Sequence, residues 1–311
     1  MNLDAGLARS IITDGMPGPC PSTKPRLAVA LLLGLLLTGC SFGQDDPASS
    51  GQTIVNKGSD TIVNLALAWA EAYHQLEPQV SISVTGGGSG TGIAALINGT
   101  VDIANASRQI KPEEQAEAEA NGVSPVEFVV ARDAIAIIVN PNNPVEQLTI
   151  GQLSDIYSGK IANWSEVGGE DRPIVRLSRE TNSGTHVYFL EQVIRQGENE
   201  DKTLFSPETL LLPSSEGITA EVRDNPNAIG YDGLGYVTLD VKVIAVAADP
   251  SGPFVRPSSE SVNNGQYPIA RDLYMYTAGE PIGRVLDYLN WITGPEAQQI
   301  VSKLGFVPTS S

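Results

Sequence analysis

Two cysteines and two histidines in 311 residues leave little material for metal or redox chemistry. His74 and His186 are far apart and neither has a cysteine beside it, so no metal centre and no cofactor are expected. The same poverty argues against hydrolysis, which needs an activated nucleophile with a base in reach, or metals. Basic residues are also scarce, 19 against 36 acidic ones for a net charge of -17. Such a field repels nucleic acid and anionic membrane surfaces, so no nucleic-acid partner is expected. Any anion this chain binds must be captured by local groups.

Long apolar runs are scarce too. The run at 27–37 is too short to span a bilayer but suits the h-region of a secretory signal, with Lys24 and Arg26 ahead of it. Leu37-Thr38-Gly39-Cys40 then resembles the lipobox of bacterial lipoproteins, which makes Cys40 the expected lipid acceptor. Residues 1–39 read as a lipoprotein signal peptide, with Met16 as an alternative start, and residues 40–52, small and polar, as a flexible tether. Removing residues 1–39 takes Cys20 with it, so the exported chain has no internal disulfide and relies on its core. The expected location is periplasmic or at the cell surface, lipid-anchored to the membrane.

From Thr53 onward, short apolar strands alternate with helical patterns. Strands are expected at 53–56, 80–84, 101–104, 174–177 and 271–277, and helices at 61–75, 112–121, 150–157, 183–195 and, with a break near Gly294-Pro295, 280–305. A further helix and strand fall within 216–231, and 249–268 is rich in turn formers and reads as a loop. The stretch 126–141 is too long for one compact strand, so it is either two strands or one strand crossing between domains. No internal repeat is evident. The pattern implies an α/β fold with a mostly parallel sheet.

Four loops carry the candidate chemistry. Gly58-Ser59-Asp60-Thr61 joins a strand to a helix whose first N–H groups lack partners. Thr85–Gly92, "TGGGSGTG", is a second such junction, where glycines let the backbone approach a ligand. It fits neither a dinucleotide fingerprint nor a P-loop, since no lysine follows, and Thr91 breaks the nucleophile-elbow pattern. Ser107-Arg108 closes a third strand. "RETNSGTH" at 179–186 sets Arg179 ahead of Ser183, Gly184 and Thr185 at a helix start. Strand-end loops of an open α/β sheet converge on one crevice. Their Ser, Thr, Gly and Arg content suits a small tetrahedral oxyanion.

"GSDT", "GGGSGTG", "ASR", "ARDAIAIIVNP", "RETNSGT", "AIGYDGLGY", "YPIARDLYMYT" and "LGFVPT", in this order, resemble the phosphate-binding proteins of the phosphate ABC transporter, the PstS family. The resemblance implies a type II periplasmic-binding-protein fold, two α/β domains with a ligand cleft between them. Domain I is expected at 53–138 and 242–311, and domain II at 139–241. It also implies a monomer that binds inorganic phosphate with high affinity outside the cytoplasm and delivers it to ABC transporter permease subunits. The ligands it implies are Thr61, Ser89, Ser107 or Arg108, Arg179, Ser183, Gly184 and Thr185, and Ser59 and Asp133 join them as candidates from this chain's own loops.

Where some family members carry Asp after the third-loop serine, this chain has Arg108. The acidic partner for phosphate's own proton is then expected to be Asp133, ahead of Asp60, with an ion pair to Arg132 or Arg108 as its structural alternative. The remaining functional alternatives are another oxyanion (sulfate, molybdate or tungstate) or an exported phosphatase.

Overall fold

A computed structural model describes residues 53–309; the signal peptide, Cys40 and the tether at 40–52 lie outside the described residues. The chain begins with β1 (Thr53–Gly58), α1 (Asp60–Leu76), β2 (Ser81–Thr85), α2 (Ser89–Ile97), β3 (Ile103–Ala106) and α3 (Pro112–Ala120). On α1, Ile62, Leu65, Ala66, Trp69 and Tyr73 recur at helical spacing and all are buried. They cover β1 and β3 through Ile54 and Ile103.

The stretch that was expected to be two strands or one crossing strand is a single strand, β4 (Val126–Val139). Its first part pairs with β11 (Ala270–Thr277) and its second with β8 (Ala228–Gly233). Between these partners lie β5 (Gln147–Thr149), α4 (Ile150–Ser158), β6 (Val175–Arg179), α5 (Gly184–Phe189), β7 (Leu210–Leu212) and α6 (Ser215–Asp224). After β8 come β9 (Lys242–Val243), β10 (Ala245–Ala247) and α7 (Ser259–Asn263); after β11, α8 (Gly283–Ile292) and α9 (Pro295–Lys303) close the described chain.

The strands form one continuous sheet in the order β2-β1-β3-β11-β4-β8-β6-β7, with β9 also on β4, while β10 and β5 pair separately. Within each half the pairs β1/β2, β1/β3, β6/β7 and β6/β8 are parallel. At the middle, β11 is antiparallel to β3 and β4, and β4 is antiparallel to β8. The expectation of a mostly parallel sheet is therefore corrected to a mixed one. Parallel neighbours need a crossover helix between them, and these central strands meet across long excursions of the chain instead.

Other differences are local. β5, β7, β9 and β10 have two or three residues each, too few to register as a period-2 pattern. α7 interrupts the expected 249–268 loop, started by Ser258 Oγ accepting from Ser261 N at 3.0 Å. The helix expected at 183–195 is α5 followed by a π-helical turn at Leu190–Ile194.

Candidate functional site

The loops leaving β1, β2 and β3 and those leaving β6 and β8 meet at mid-sheet, where β4 and β11 lie side by side. The same triplet, Ala-Arg-Asp, occurs at 131–133 on β4 and at 270–272 on β11. The antiparallel register sets Arg271 opposite Asp133 and Asp272 opposite Arg132. Because alternate residues of a strand face opposite sides, one pair points inward and the other outward. The inward pair is buried, with Arg271 Nη2 2.9 Å from Asp133 Oδ2 and side-chain exposures of 2% and 0%. The outward pair, Arg132 Nε to Asp272 Oδ1 at 3.4 Å, is 38% and 41% exposed.

Arg271 is the centre of the polar cluster. Its Nε and Nη2 donate to Asp133 Oδ2 at 3.2 and 2.9 Å, and Nη1 donates to the Ser107 carbonyl at 3.0 Å. Nη2 also donates to Thr185 Oγ1 at 2.9 Å and reaches Thr61 Oγ1 at 3.5 Å. Thr61 and Thr185 join the two halves directly, hydroxyl to hydroxyl, at 2.8 Å. Ser107 N donates to Ser89 Oγ at 3.0 Å, and the two serine hydroxyls lie 3.3 Å apart. Thr61, Ser89, Ser107, Asp133 and Thr185 are all buried.

Gly184 faces this cluster from the second half. A Cβ there would stand 2.3 Å from Ser89 Oγ and 2.5 Å from Ser107 Oγ, so only glycine fits. Ser183 caps α5, its Oγ accepting from Thr185 N at 3.2 Å. The glycine loop closes over this turn: Gly90 N donates to the Asn182 carbonyl at 3.1 Å, and Asn182 Nδ2 donates to the Gly87 carbonyl at 2.8 Å.

Three predicted residues sit beside the cluster, two of them with other partners. Arg179 is buried at the end of β6, where Nη1 donates to Ser215 Oγ at 2.7 Å and Nη2 to the Pro213 carbonyl at 2.7 Å. It also pairs with Asp60 at 2.9 Å. Arg108 grips Glu114 with Nη1 and Nη2 at 2.7 and 2.6 Å, a fork-on-carboxylate contact. Ser59 is buried at the head of α1, and its hydroxyl makes no cap bond to the helix.

The structure thus brings together Thr61, Ser89, Ser107, Asp133, Gly184 and Thr185. It corrects the structural alternative for Asp133: the partner is Arg271, whereas Arg132 pairs across the strand with Asp272 and Arg108 with Glu114. Sequence reasoning missed Arg271, though the recurring Ala-Arg-Asp triplet was a usable signal. It also missed Ser215 and Asp232, which extend the Arg179 network, Ser215 Oγ donating to Asp232 Oδ1 at 2.9 Å.

Burial dominates the electrostatics. It raises the Asp133 carboxyl above the ordinary carboxylate range, against the pull of Arg271. Asp232 is pushed up to about 7 by burial, with Arg179 acting in the opposite direction. His186, beside Thr185, is driven down to about 4, chiefly by burial. It stacks on Phe205 at 4.4 Å and hydrogen bonds Ser178 Oγ at 3.0 Å, and serves the core instead of the cluster. The arrangement offers one guanidinium, hydroxyls from both halves and an inward carboxylate, a donor-rich shell with one acceptor.

A family model for the PBP superfamily domain matches residues 44–296. Over 269 residues the chain is 34% identical to the phosphate-binding protein PstS of Pseudomonas aeruginosa, covering 81% of each. It is 33% identical over 267 residues to PstS of Bacillus subtilis, covering 86% of this chain and 83% of that one. The chain belongs to the PstS family of phosphate-binding proteins.

Among solved structures, a Clostridium perfringens protein with bound phosphate, described as a phosphate ABC transporter substrate-binding protein, is 33% identical with a TM-score of 0.74. The match covers 83% of this chain and all of that one. An ABC-type phosphate transport receptor from Vibrio cholerae is 29% identical, with a TM-score of 0.65 and coverage of 82% and 99%. The PstS family assignment carries the periplasmic-binding-protein fold with it.

Proposed function

We propose that this protein binds inorganic phosphate outside the cytoplasm and delivers it to the permease of an ABC-type importer. The observation that carries the reading is the cluster of Thr61, Ser89, Ser107 and Thr185 hydroxyls drawn from both halves around one buried arginine, in a member of the PstS family. The ligand shell comprises these hydroxyls, the Gly184 backbone, Arg271 as the cation and Asp133 as the acceptor. Ser59, Arg108, Arg179 and Ser183 complete its margin. Phosphate near neutral pH still holds a proton to donate to Asp133, whereas sulfate only accepts. Facing sulfate, that carboxylate is a like charge, and an unmet buried group costs about 1–3 kcal/mol.

Thr61 and Thr185 bond each other, so an anion touching both must take the place of that bond; the halves part to admit it and close again on it. The hinge lies where the chain crosses at β4 and returns at β9, dividing 53–138 with 242–311 from 139–241. The closed form is what the permease engages.

Titration calorimetry against phosphate, arsenate, sulfate, molybdate and tungstate tests the function. Phosphate and arsenate should bind tightly and the others weakly; tighter sulfate or molybdate binding would reassign the anion. Purified protein should release no product from a chromogenic phosphomonoester, since the role is transport and not catalysis. The protein acts as a monomer anchored through lipid on Cys40. Cys40→Ser should move it from the detergent phase to the aqueous phase, and wild-type protein already in the aqueous phase would remove the anchor.

A further inference from the structure

We propose that Asp60 is a positioning residue that straps the two halves of the cleft together through Arg179, and is not a ligand of the anion. The proposal rests on the anion-binding reading of the neighbouring cluster. Asp60 opens α1 in the first half, while Arg179 ends β6 in the second. Their contact, Arg179 Nη2 to Asp60 Oδ2 at 2.9 Å, therefore crosses between the halves, with side-chain exposures of 2% and 18%. The same Oδ2 accepts from Ser215 N at 3.2 Å, and the Asp60 carbonyl accepts from the Tyr236 hydroxyl at 2.8 Å. Both of these donors follow β6 in the chain.

The strap reaches further than one ion pair. Arg179 also holds the Leu212 carbonyl at 3.3 Å, the Pro213 carbonyl and Ser215 Oγ, which fastens the turn before α6 to the end of β6. Ser215 Oγ in turn donates to the buried Asp232. The Asp60 carboxylate thus grips the end of β6 and the 213–215 turn, while its backbone carbonyl holds Tyr236. Thr61, the next residue along, is the one whose hydroxyl meets Thr185. With Asp60 fixed on the second half, Thr61 is held at hydrogen-bonding distance from its partner.

This geometry separates the roles of two arginine–carboxylate pairs. Arg271–Asp133 lies within the cluster on adjacent strands and keeps its relation when the halves part. Asp60–Arg179 spans the cleft and exists only while they are together. A Cβ at Gly86 would come to 3.0 Å from Asp60 Oδ1, so the glycine loop also closes over this carboxylate.

The test is a double-mutant cycle of Asp60→Ala and Arg179→Ala, read in phosphate affinity and in the urea midpoint of ligand-free protein. Each single variant should weaken phosphate by about tenfold or more, and the double variant by little beyond the worse single one. The loss should be in dissociation rate, because the strap holds a closed state once formed. Additive losses in both readouts would overturn the proposal. Asp60→Asn should leave the phosphate-to-sulfate ratio unchanged, and a collapse of that ratio would make Asp60 a ligand and overturn it as well. Wild-type protein that binds no oxyanion defeats the anion-site reading alone, and the coupling in urea then decides whether the strap exists.

Discussion

Replacing Arg271 by methionine removes a cation that touches both halves of the cluster. It takes away the donors to Asp133, Ser107, Thr185 and Thr61 while keeping a side chain of comparable length. A charge-assisted hydrogen bond is worth about 1.5–3 kcal/mol net, so phosphate affinity should fall roughly tenfold to over a hundredfold. Stability should fall as well, because Asp133 is 0% exposed and is left without its counter-ion, a loss of about 3–5 kcal/mol when one partner of a buried pair is deleted. That is a large share of a typical domain's 5–15 kcal/mol. The double variant Arg271→Met/Asp133→Leu removes both charges and should recover most of the stability without recovering binding. The outward pair supplies the control: Arg132→Met breaks the same cross-strand contact where its partners are 38% and 41% exposed, and should cost only about 0–1 kcal/mol. Calorimetry gives the affinities and urea unfolding the stabilities. Phosphate binding by the double variant within threefold of wild type would refute the placing of Arg271 in the ligand shell.

Asp133→Asn should raise sulfate affinity and lower the phosphate-to-sulfate ratio at matched pH, since the amide can turn an N–H toward an acceptor oxygen; an unchanged ratio would leave Asp133 as a purely structural partner of Arg271. Gly184→Ala places a methyl 2.3 and 2.5 Å from the Ser89 and Ser107 hydroxyls, so the halves cannot meet as they do here; phosphate binding should fall by at least tenfold, at a stability cost of about 1–3 kcal/mol, measured by calorimetry and thermal unfolding. His186 sets a pH dependence: the unfolded chain takes up a proton below about 6.5 and the fold refuses it until about 4, so stability drops as pH falls through that window and the term is flat below it. Its size is at most about 3.4 kcal/mol, and it should vanish from the unfolding curves of His186→Gln; identical pH profiles for the two proteins would contradict it.

Much of this was readable from the chain. α1 was marked by its apolar spacing, and the break between α8 and α9 by Gly294-Pro295, because both are local features. The hydroxyl-bearing loops were found because glycine, serine and threonine at strand-to-helix junctions have a local meaning. Arg271 was not found because its role depends on register. In isolation "IARDLYMYT" is one more strand with a charged entry, and only the pairing of β11 with β4 turns Arg271 toward Asp133. The same holds for Arg108 and Arg179, whose partners Glu114 and Asp60 are set by helix placement and by how the halves meet. The antiparallel middle of the sheet was likewise invisible, since strand direction is a tertiary property.

The position of β11 has a consequence for the order in which the protein becomes competent. It is the last of the described strands yet lies at the middle of the sheet, between β3 and β4, and Arg271 stands 138 residues after the carboxylate it neutralises. A chain that emerges N-terminus first therefore delivers its serines and threonines early and its central cation nearly last. Until then β3 and β4 have no strand between them, and Asp133 faces the cluster without a counter-charge. Fragments ending before residue 270 should be unable to retain the anion however well their earlier loops have formed, so competence waits for nearly the whole chain.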